Sequence, residues 1–350
     1  MRRLAAFRWG RAGVMIPAAL LLMLAAEATA HKLPPSVEAV PGLHHEPIQP
    51  ISPPEGLDPD KVRLGERLFL DPRLSRDNDM ACGSCHDLGS NGADNLPHPK
   101  GRADAGPALN TLTVFNSGLN HRQFWDGRAN SLEEQIDFVV TNPGEFATSW
   151  PEIVARLRQD PDYGRAFGRL YPGGITAAAI RDAIATFERS LVTLDSPFDR
   201  FLLGDAEAIS AEAKEGYRLF KDYGCASCHQ GSNVGGNLFM KFGVFGDYFA
   251  DRGDATQAYQ GRFNVTGKEP DRYVFRVPSL RLAVLTAPYL HDGSVKTLEQ
   301  VIRIMAKYQL GHAIPDRDIH CLVAFLQTLP GKYRGRRLGA TGGDAERAAP

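Results

Sequence analysis

Two stretches of the chain, "DMACGSCHDLGS" (79–90) and "YGCASCHQGSN" (223–233), carry the same reactive trio in the spacing Cys-x-x-Cys-His. The first copy is Cys82, Cys85 and His86; the second is Cys225, Cys228 and His229. A zinc ribbon needs its two Cys-x-x-Cys pairs roughly 15–20 residues apart, and these are separated by far more. A thioredoxin-like pair belongs in a βαβ context that is missing here, and gives no reason for a histidine after each second cysteine. Covalent c-type haem attachment uses all three residues. The thiols form thioethers to the porphyrin, and the adjacent imidazole becomes the proximal iron ligand. The chain therefore reads as carrying two covalently bound c-type haems.

A haem of this kind is either closed by a sixth ligand, which suits electron transfer, or left open, which suits chemistry. After the second motif, Met240 and Met305 are both candidates to close the iron, with core packing as the plain alternative for each. The first motif has no comparable methionine after it. His98 and His121 could close that haem or be surface histidines. The nearby stretches "NHRQFWDGRANSLEEQ" and "TNPGEFATSW" bring in Trp125, Gln135 and Glu145. Taken alone, Glu145 in a Pro-Gly turn is a solvated carboxylate and Trp125 a core aromatic.

The elements that must position these residues are mostly helical. "LGERLFLDPRLS" precedes the first motif and "AKEGYRLFKDYG" leads into the second. Each puts Arg-Leu-Phe (67–69 and 218–220) on an amphipathic stretch, an internal repeat of one helix-then-haem unit. "SLEEQIDFVV" starts with Ser131 and Glu134 in capping-box spacing. "ITAAAIRDAIATFERSLV" starts at Thr176 and repeats Ile180, Ile184, Phe187 and Leu191 at helical intervals. "TLEQVIRIMAKY" and "DRDIHCLVAFLQTL" are also amphipathic, and strand signal is limited to pieces such as "RYVFRV". The expected fold is mostly α, two cytochrome c-like domains at 57–200 and 201–330, with "DSPFDRFLLGDAEAIS" (195–210) as the linker. Residues 31–56, rich in proline, read as an extended arm, and 331–350 as a flexible tail.

The first 30 residues hold four arginines, an apolar run from Val14 to Ala26 and Ala28-Thr29-Ala30, the pattern of a cleaved signal peptide. That run is short for a membrane span, so the mature chain is expected in the periplasm with no membrane-spanning segment. Losing four Arg and one Glu moves the formal charge from −1 to −4, with no basic block suited to nucleic acid. Of the five cysteines, Cys321 is left over and reads as a buried thiol on an apolar helix. His44, His45 and His312 read as solvated, and His291 as structural. His31 would become the new N-terminus, where amine and imidazole can chelate copper.

Five motifs in order, "LGERLFLDPRLS", "CGSCH", "TVFNS", "QFWDGR" and "TAPYLHDGSVKTLEQ", resemble the bacterial dihaem cytochrome c peroxidase superfamily, which includes MauG-type and MbnH-type enzymes. The resemblance runs from about Leu64 to about Leu329. It implies that the His86 haem is the peroxide site and the His229 haem the electron-transfer site. It also implies Met305, after "HDGS", as axial ligand of the second haem, and Trp125 between the haems. Glu145 takes the place of the distal acid–base, and Gln135 that of a distal-pocket glutamine. A calcium ion is implied at Asn110, Thr286 and Pro288, held largely through backbone oxygens.

One departure bears on mechanism. Many members carry a histidine after the first motif that closes the peroxide haem at rest; aligning "DNLPHPKGR" puts Arg102 there, with His98 close by. A missing histidine resembles the MauG-type and MbnH-type branches, while Met305, where MauG-type enzymes carry Tyr, leans toward the MbnH-like one. The implied partners are hydrogen peroxide and a small cytochrome c or cupredoxin donor, or else a protein oxidised on a Trp or Tyr. A homodimer is left open. The competing class is a dihaem electron carrier, in which Glu145 would have no role.

Overall fold

The computed structural model describes residues 46–99, 101–102, 109–253 and 257–339. The signal-peptide reading, His31 with its copper reading, His44 and His45 lie outside these residues. Eleven α-helices run in chain order among the described residues. They are α1 (Pro59–Phe69), α2 (Leu132–Thr141), α3 (Trp150–Arg158), α4 (Pro161–Leu170), α5 (Ala177–Ser190) and α6 (Pro197–Leu202). Then come α7 (Ala211–Asp222), α8 (Tyr248–Arg252), α9 (Phe263–Thr266), α10 (Leu298–Met305) and α11 (Asp316–Leu326). Among the described residues strands are confined to two short antiparallel pairs, β1 (Phe239–Lys241) with β2 (Val274–Arg276) and β3 (Lys332–Tyr333) with β4 (Arg336–Arg337). The expectation of a mostly helical chain is met. No helix among the described residues is long and apolar enough to cross a membrane.

Two crossed helix pairs organise the chain, and both depend on glycine. In α1 a Cβ on Gly65 would lie 2.0 Å from the Ala183 carbonyl oxygen of α5 and 2.7 Å from the Phe187 Cβ. In α7 a Cβ on Gly216 would lie 1.9 Å from the Cys321 carbonyl oxygen of α11 and 2.9 Å from the Phe325 Cβ. The repeat seen in sequence thus extends one step earlier, to Gly-x-Arg-Leu-Phe. Each glycine lets two helices touch backbone to backbone, and each pair buries a phenylalanine completely, Phe187 and Phe325. Around the first pair lies a core with Leu64, Phe69, Ile180 and Ile184. Around the second lies a core with Phe198, Tyr217, Leu219 and Leu322. A third, aromatic cluster of Phe242, Tyr248, Phe249, Phe275 and Tyr308 has Trp125 and Met305 packed against it.

The helix starts follow the sequence signals. Thr176 accepts from Ala179 N at 3.1 Å, and Ser131 accepts from Glu134 N at 3.2 Å. The Ser131 capping box is only half made. The Glu134 carboxylate reaches past Ser131 to the Asn130 N–H at 2.7 Å.

Two sequence expectations need correction, those for the linker and the tail. The 195–210 stretch is not a linker: Ser196 caps α6 through the Asp199 N–H at 2.9 Å, and Phe198 is fully buried in the second core. The arm, read as extended, carries no helix or strand over 46–56 and is packed down there: Ile48 is fully buried in that same core and Glu46 accepts from the Tyr217 hydroxyl at 2.5 Å. The tail is anchored as far as 339. There Lys332 exchanges backbone hydrogen bonds with Leu194, Tyr333 packs edge-on against Phe115 at 4.9 Å, and Arg334 pairs with Glu66 at 2.7 Å. In each case a few apolar or aromatic side chains found buried partners that local composition does not reveal. Residues 340–350 lie outside the described chain.

Candidate functional site

Each Cys-x-x-Cys-His motif starts in a 3₁₀ turn, Cys82–Ser84 and Cys225–Ser227, closed by the histidine N–H donating to the first cysteine's carbonyl at 3.0 Å. The His86 Nδ1 lies 3.0 Å from the Gly92 carbonyl oxygen, and the His229 Nδ1 lies 3.4 Å from that of Val234. A carbonyl can only accept, so each Nδ1 carries the proton and each Nε2 keeps its lone pair for a metal. Burial lowers the pKa of both imidazoles, that of His229 to about 4, which keeps them neutral. All four motif cysteines are free thiols, not disulfides. Burial pushes their pKa values up, to about 11 for Cys85 and Cys225. These are not the electropositive surroundings of a redox-active thiol pair.

The first motif opens onto a cavity of about 800 Å³ and the second onto one of about 580 Å³, both in the usual range for cofactor sites. Paired thiols, a neutral imidazole with Nε2 free and a roomy cavity beside them fit a covalently attached haem in each.

Gln135 and Glu145 both face the first cavity together with His86. Gln135 stands on α2, and Glu145 on the turn that follows it. The turn is pinned by the Glu145 N–H donating to the Asn142 carbonyl at 3.0 Å and by buried Phe146. Burial raises the Glu145 pKa above the ordinary carboxylate range, against the opposing pull of Arg128 and a hydrogen bond from Asn142. The plain reading of Glu145 as a solvated carboxylate is therefore corrected.

Arg102 lies against the same turn. Its Nε donates to the Glu145 carbonyl at 2.9 Å, and its Nη atoms reach Asp77 at 2.5 Å and Asp79 at 2.8 Å. His98 lines the first cavity from an exposed position. His121 does not line it; its Nδ1 lies 3.0 Å from the Gly236 carbonyl.

Trp125 lines both cavities. Its indole N–H donates to the Asn110 carbonyl at 2.9 Å, and its ring sits 6.5 Å from that of His291. The second cavity receives both methionines left open by the sequence, Met240 from β1 and Met305 from the end of α10. Met305 is followed directly by a π-helical turn, Ala306–Leu310, a distortion frequent at functional sites. Asn110, Thr286 and Pro288 share that cavity's lining. Cys321 is a buried thiol, as expected, at 7% exposure. His291, at 3%, is packed among aromatic rings.

Two charged residues escaped the sequence reading. Arg276, on β2, is 2% exposed and lines both cavities. Glu188, on α5, lines the first cavity at 6% exposure, its pKa raised to about 8 by burial and then by the charge on Glu133. Glu188 falls four residues after Ile184 and eight after Ile180, on the apolar face of its helix, which is the signal that could have found it.

The sequence signature described as di-haem cytochrome c peroxidase matches residues 59–207. The chain is also 41% identical to the cytochrome c551 peroxidase of Nitrosomonas europaea over 288 residues, covering 82% of this chain and 85% of that one. It belongs to the di-haem cytochrome c peroxidase family. This family of oxidoreductases also includes the cytochrome c peroxidase Ccp of Escherichia coli, 44% identical over 85% of this chain; the chain spans 64% of that protein's length. Among solved structures, a MauG-like protein associated with microbial copper homeostasis superimposes with a TM-score of 0.70 at 30% identity, over 81% of this chain and 93% of that one.

Proposed function

We propose that the chain is a periplasmic dihaem c-type peroxidase that reduces hydrogen peroxide in the first cavity, beside His86. Electrons would arrive from a small cytochrome c or cupredoxin through the second cavity. A c-type haem in each cavity would supply the redox chemistry; His86 would hold the first, and His229 with Met305 the second. The observation that carries the reading is Glu145, a carboxyl of raised pKa facing the same cavity as the His86 imidazole.

The chain's own part is proton handling and orientation. The Glu145 carboxylate takes a proton from one oxygen of peroxide and returns it to the other, which leaves as water as the O–O bond breaks; two electrons from the donor and two protons then release the remaining oxygen as a second water. Gln135, from α2, offers an amide to orient the peroxide. Trp125, common to both cavity walls, carries electrons between them. Met305 is preferred to Met240 as the second closing ligand because it falls at the family's position after "HDGS"; it also ends a helix at a π turn. The two helix pairs built on Gly65 and Gly216 support two cytochrome c-like domains. Asn110, Thr286 and Pro288, which line the second cavity, would hold calcium largely through backbone oxygens, as calcium accepts.

Steady-state peroxide consumption with a reduced small cytochrome as donor tests the reading. Glu145→Gln, with both haems attached, should lower kcat/KM by about 10²–10⁴-fold. An unchanged rate would leave a dihaem electron carrier instead.

A second reading has one specific observation behind it. Arg102, which the resemblance aligns near the family's closing histidine with His98 close by, is tied to Asp77, Asp79 and the Glu145 carbonyl. That arrangement suits a first haem open at rest, as in MauG-type and MbnH-type enzymes, which use peroxide to oxidise a Trp or Tyr on a partner protein. Mixing the fully oxidised protein with peroxide separates the readings: immediate spectral change favours the second, and reaction only after one-electron reduction favours the first.

A further inference from the structure

Among the described residues, Arg276 is a buried cation without an anion of its own. Its N–H donates to the Trp125 carbonyl at 2.8 Å and its Nε to the Phe124 carbonyl at 3.1 Å. Its Nη1 is buried with no hydrogen-bond partner. Burial alone lowers its pKa, to about 10, with no carboxylate close enough to oppose the shift; the guanidinium is still charged at neutral pH. Arg281 shows what a settled buried arginine looks like in this fold. At 1% exposure it pairs with Asp199 at 2.7 Å and donates to the Ser232 and Gln49 carbonyls.

An unpaired buried charge destabilises a fold by several kcal/mol. Arg276 meets that cost in the wall common to the two cavities, next to Trp125. The missing partner should therefore be an anion that arrives with the cavities' occupants. A porphyrin of the c-type haem carries two carboxylate side chains, and a guanidinium is the side chain whose planar fork matches a carboxylate.

We infer that Arg276 is the shared counter-cation for haem carboxylates in the two cavities, an inference that rests on the haem reading above. Two consequences follow from the geometry. A fixed positive charge beside an iron centre favours the reduced, less positive state, so Arg276 holds reduction potentials up. It also keeps the paired haem carboxylate ionised, so the potentials vary little with pH near neutrality. Arg276 is on this account a positioning and tuning residue, acting through the haem edge and not on peroxide.

The test is a potentiometric titration of the holoprotein and its Arg276→Gln and Arg276→Lys variants, with haem content measured first. Arg276→Gln should shift at least one ferric–ferrous equilibrium tenfold toward the ferric form, which is 59 mV for a one-electron couple. Its midpoint should also become pH-dependent between about pH 6 and 8 as the released carboxylate titrates. Arg276→Lys, which keeps the charge, should stay within about threefold of the parent. Two attached haems with unchanged potentials in Arg276→Gln would overturn the inference. Fewer than two haems on the parent protein would instead overturn the haem reading. Should Arg276→Gln fail to fold, the carboxylate-bending bands in resonance Raman spectra of Arg276→Lys decide. Shifted bands support the pairing, and unmoved bands overturn it.

Discussion

The Arg102 Nε donates to the Glu145 carbonyl at 2.9 Å while the rest of its guanidinium spans Asp77 and Asp79. One side chain thus ties the turn carrying the proposed acid–base to the segment just before the first haem motif. Both aspartates are half exposed, so the ion pairs add little to global stability. Their effect is local. Arg102→Ala should leave the melting temperature nearly unchanged yet lower kcat/KM for peroxide roughly 10- to 100-fold, as expected for a misplaced catalytic group. Melting curves and steady-state assays on one preparation check this; a large fall in melting temperature at unchanged turnover would assign Arg102 a structural role only.

The glycine contacts predict a larger effect on folding. A methyl group at Gly65 or Gly216 would lie about 2 Å from a backbone carbonyl oxygen of the facing helix, and backbone cannot step aside as a side chain can. Gly65→Ala and Gly216→Ala should each cost at least about 1–3 kcal/mol, the usual range for overpacking. Urea unfolding of the holoprotein measures it. Gly168→Ala on α4, where nothing stands within 4 Å of the added methyl, is the control and should be neutral or slightly stabilising.

Glu188 predicts a pH signature in stability. Its folded pKa, about 8, lies above the ordinary glutamate value because burial disfavours the charge. A proton is therefore bound more tightly in the folded state. The stability it lends is fully present below about pH 4.5 and is lost as pH rises through about 8. Glu188→Gln should be more stable than the parent at pH 9 and show little or no advantage at pH 5. Melting temperatures across that range check the sign; an advantage that does not grow with pH would show that Glu188 is paired.

Glu145 should leave its mark on kinetics instead. Acting as a base, it must be ionised, and burial raises its pKa. The peroxide reaction should therefore fall off on the acid side at a pH above the ordinary carboxylate range. Glu145→Gln should lose that acid limb, whereas Glu188→Gln should retain it. The pH profile of kcat/KM for the three proteins separates the two carboxyls.

The haem motifs and the long helices were legible because their signals are local: fixed spacing in Cys82–His86 and Cys225–His229, helical period in Ile180–Phe187, a capping residue at Thr176. The two glycines carry no such local signal although they sit next to the Arg-Leu-Phe repeat, since a close helix contact is a property of the partner helix and not of the segment itself. The 195–210 stretch misled through its polar composition. Phe198 decides its fate by filling a core built from α7 and α11. Arg276 was unreadable for a related reason: nothing in "RYVFRV" says that its arginine points inward between two cavities. Met240 and Met305 could not be ranked by spacing, and both do face the second cavity.

The central claim is that Glu145 moves the proton when peroxide reacts in the first cavity. Its most direct measurement is the bimolecular rate constant for hydrogen peroxide, followed by stopped-flow absorbance of the half-reduced protein, for the parent and Glu145→Gln with two haems attached to each. The rate in the variant should be at least about 100-fold lower. Equal rates would contradict the claim and place the proton transfer on another group.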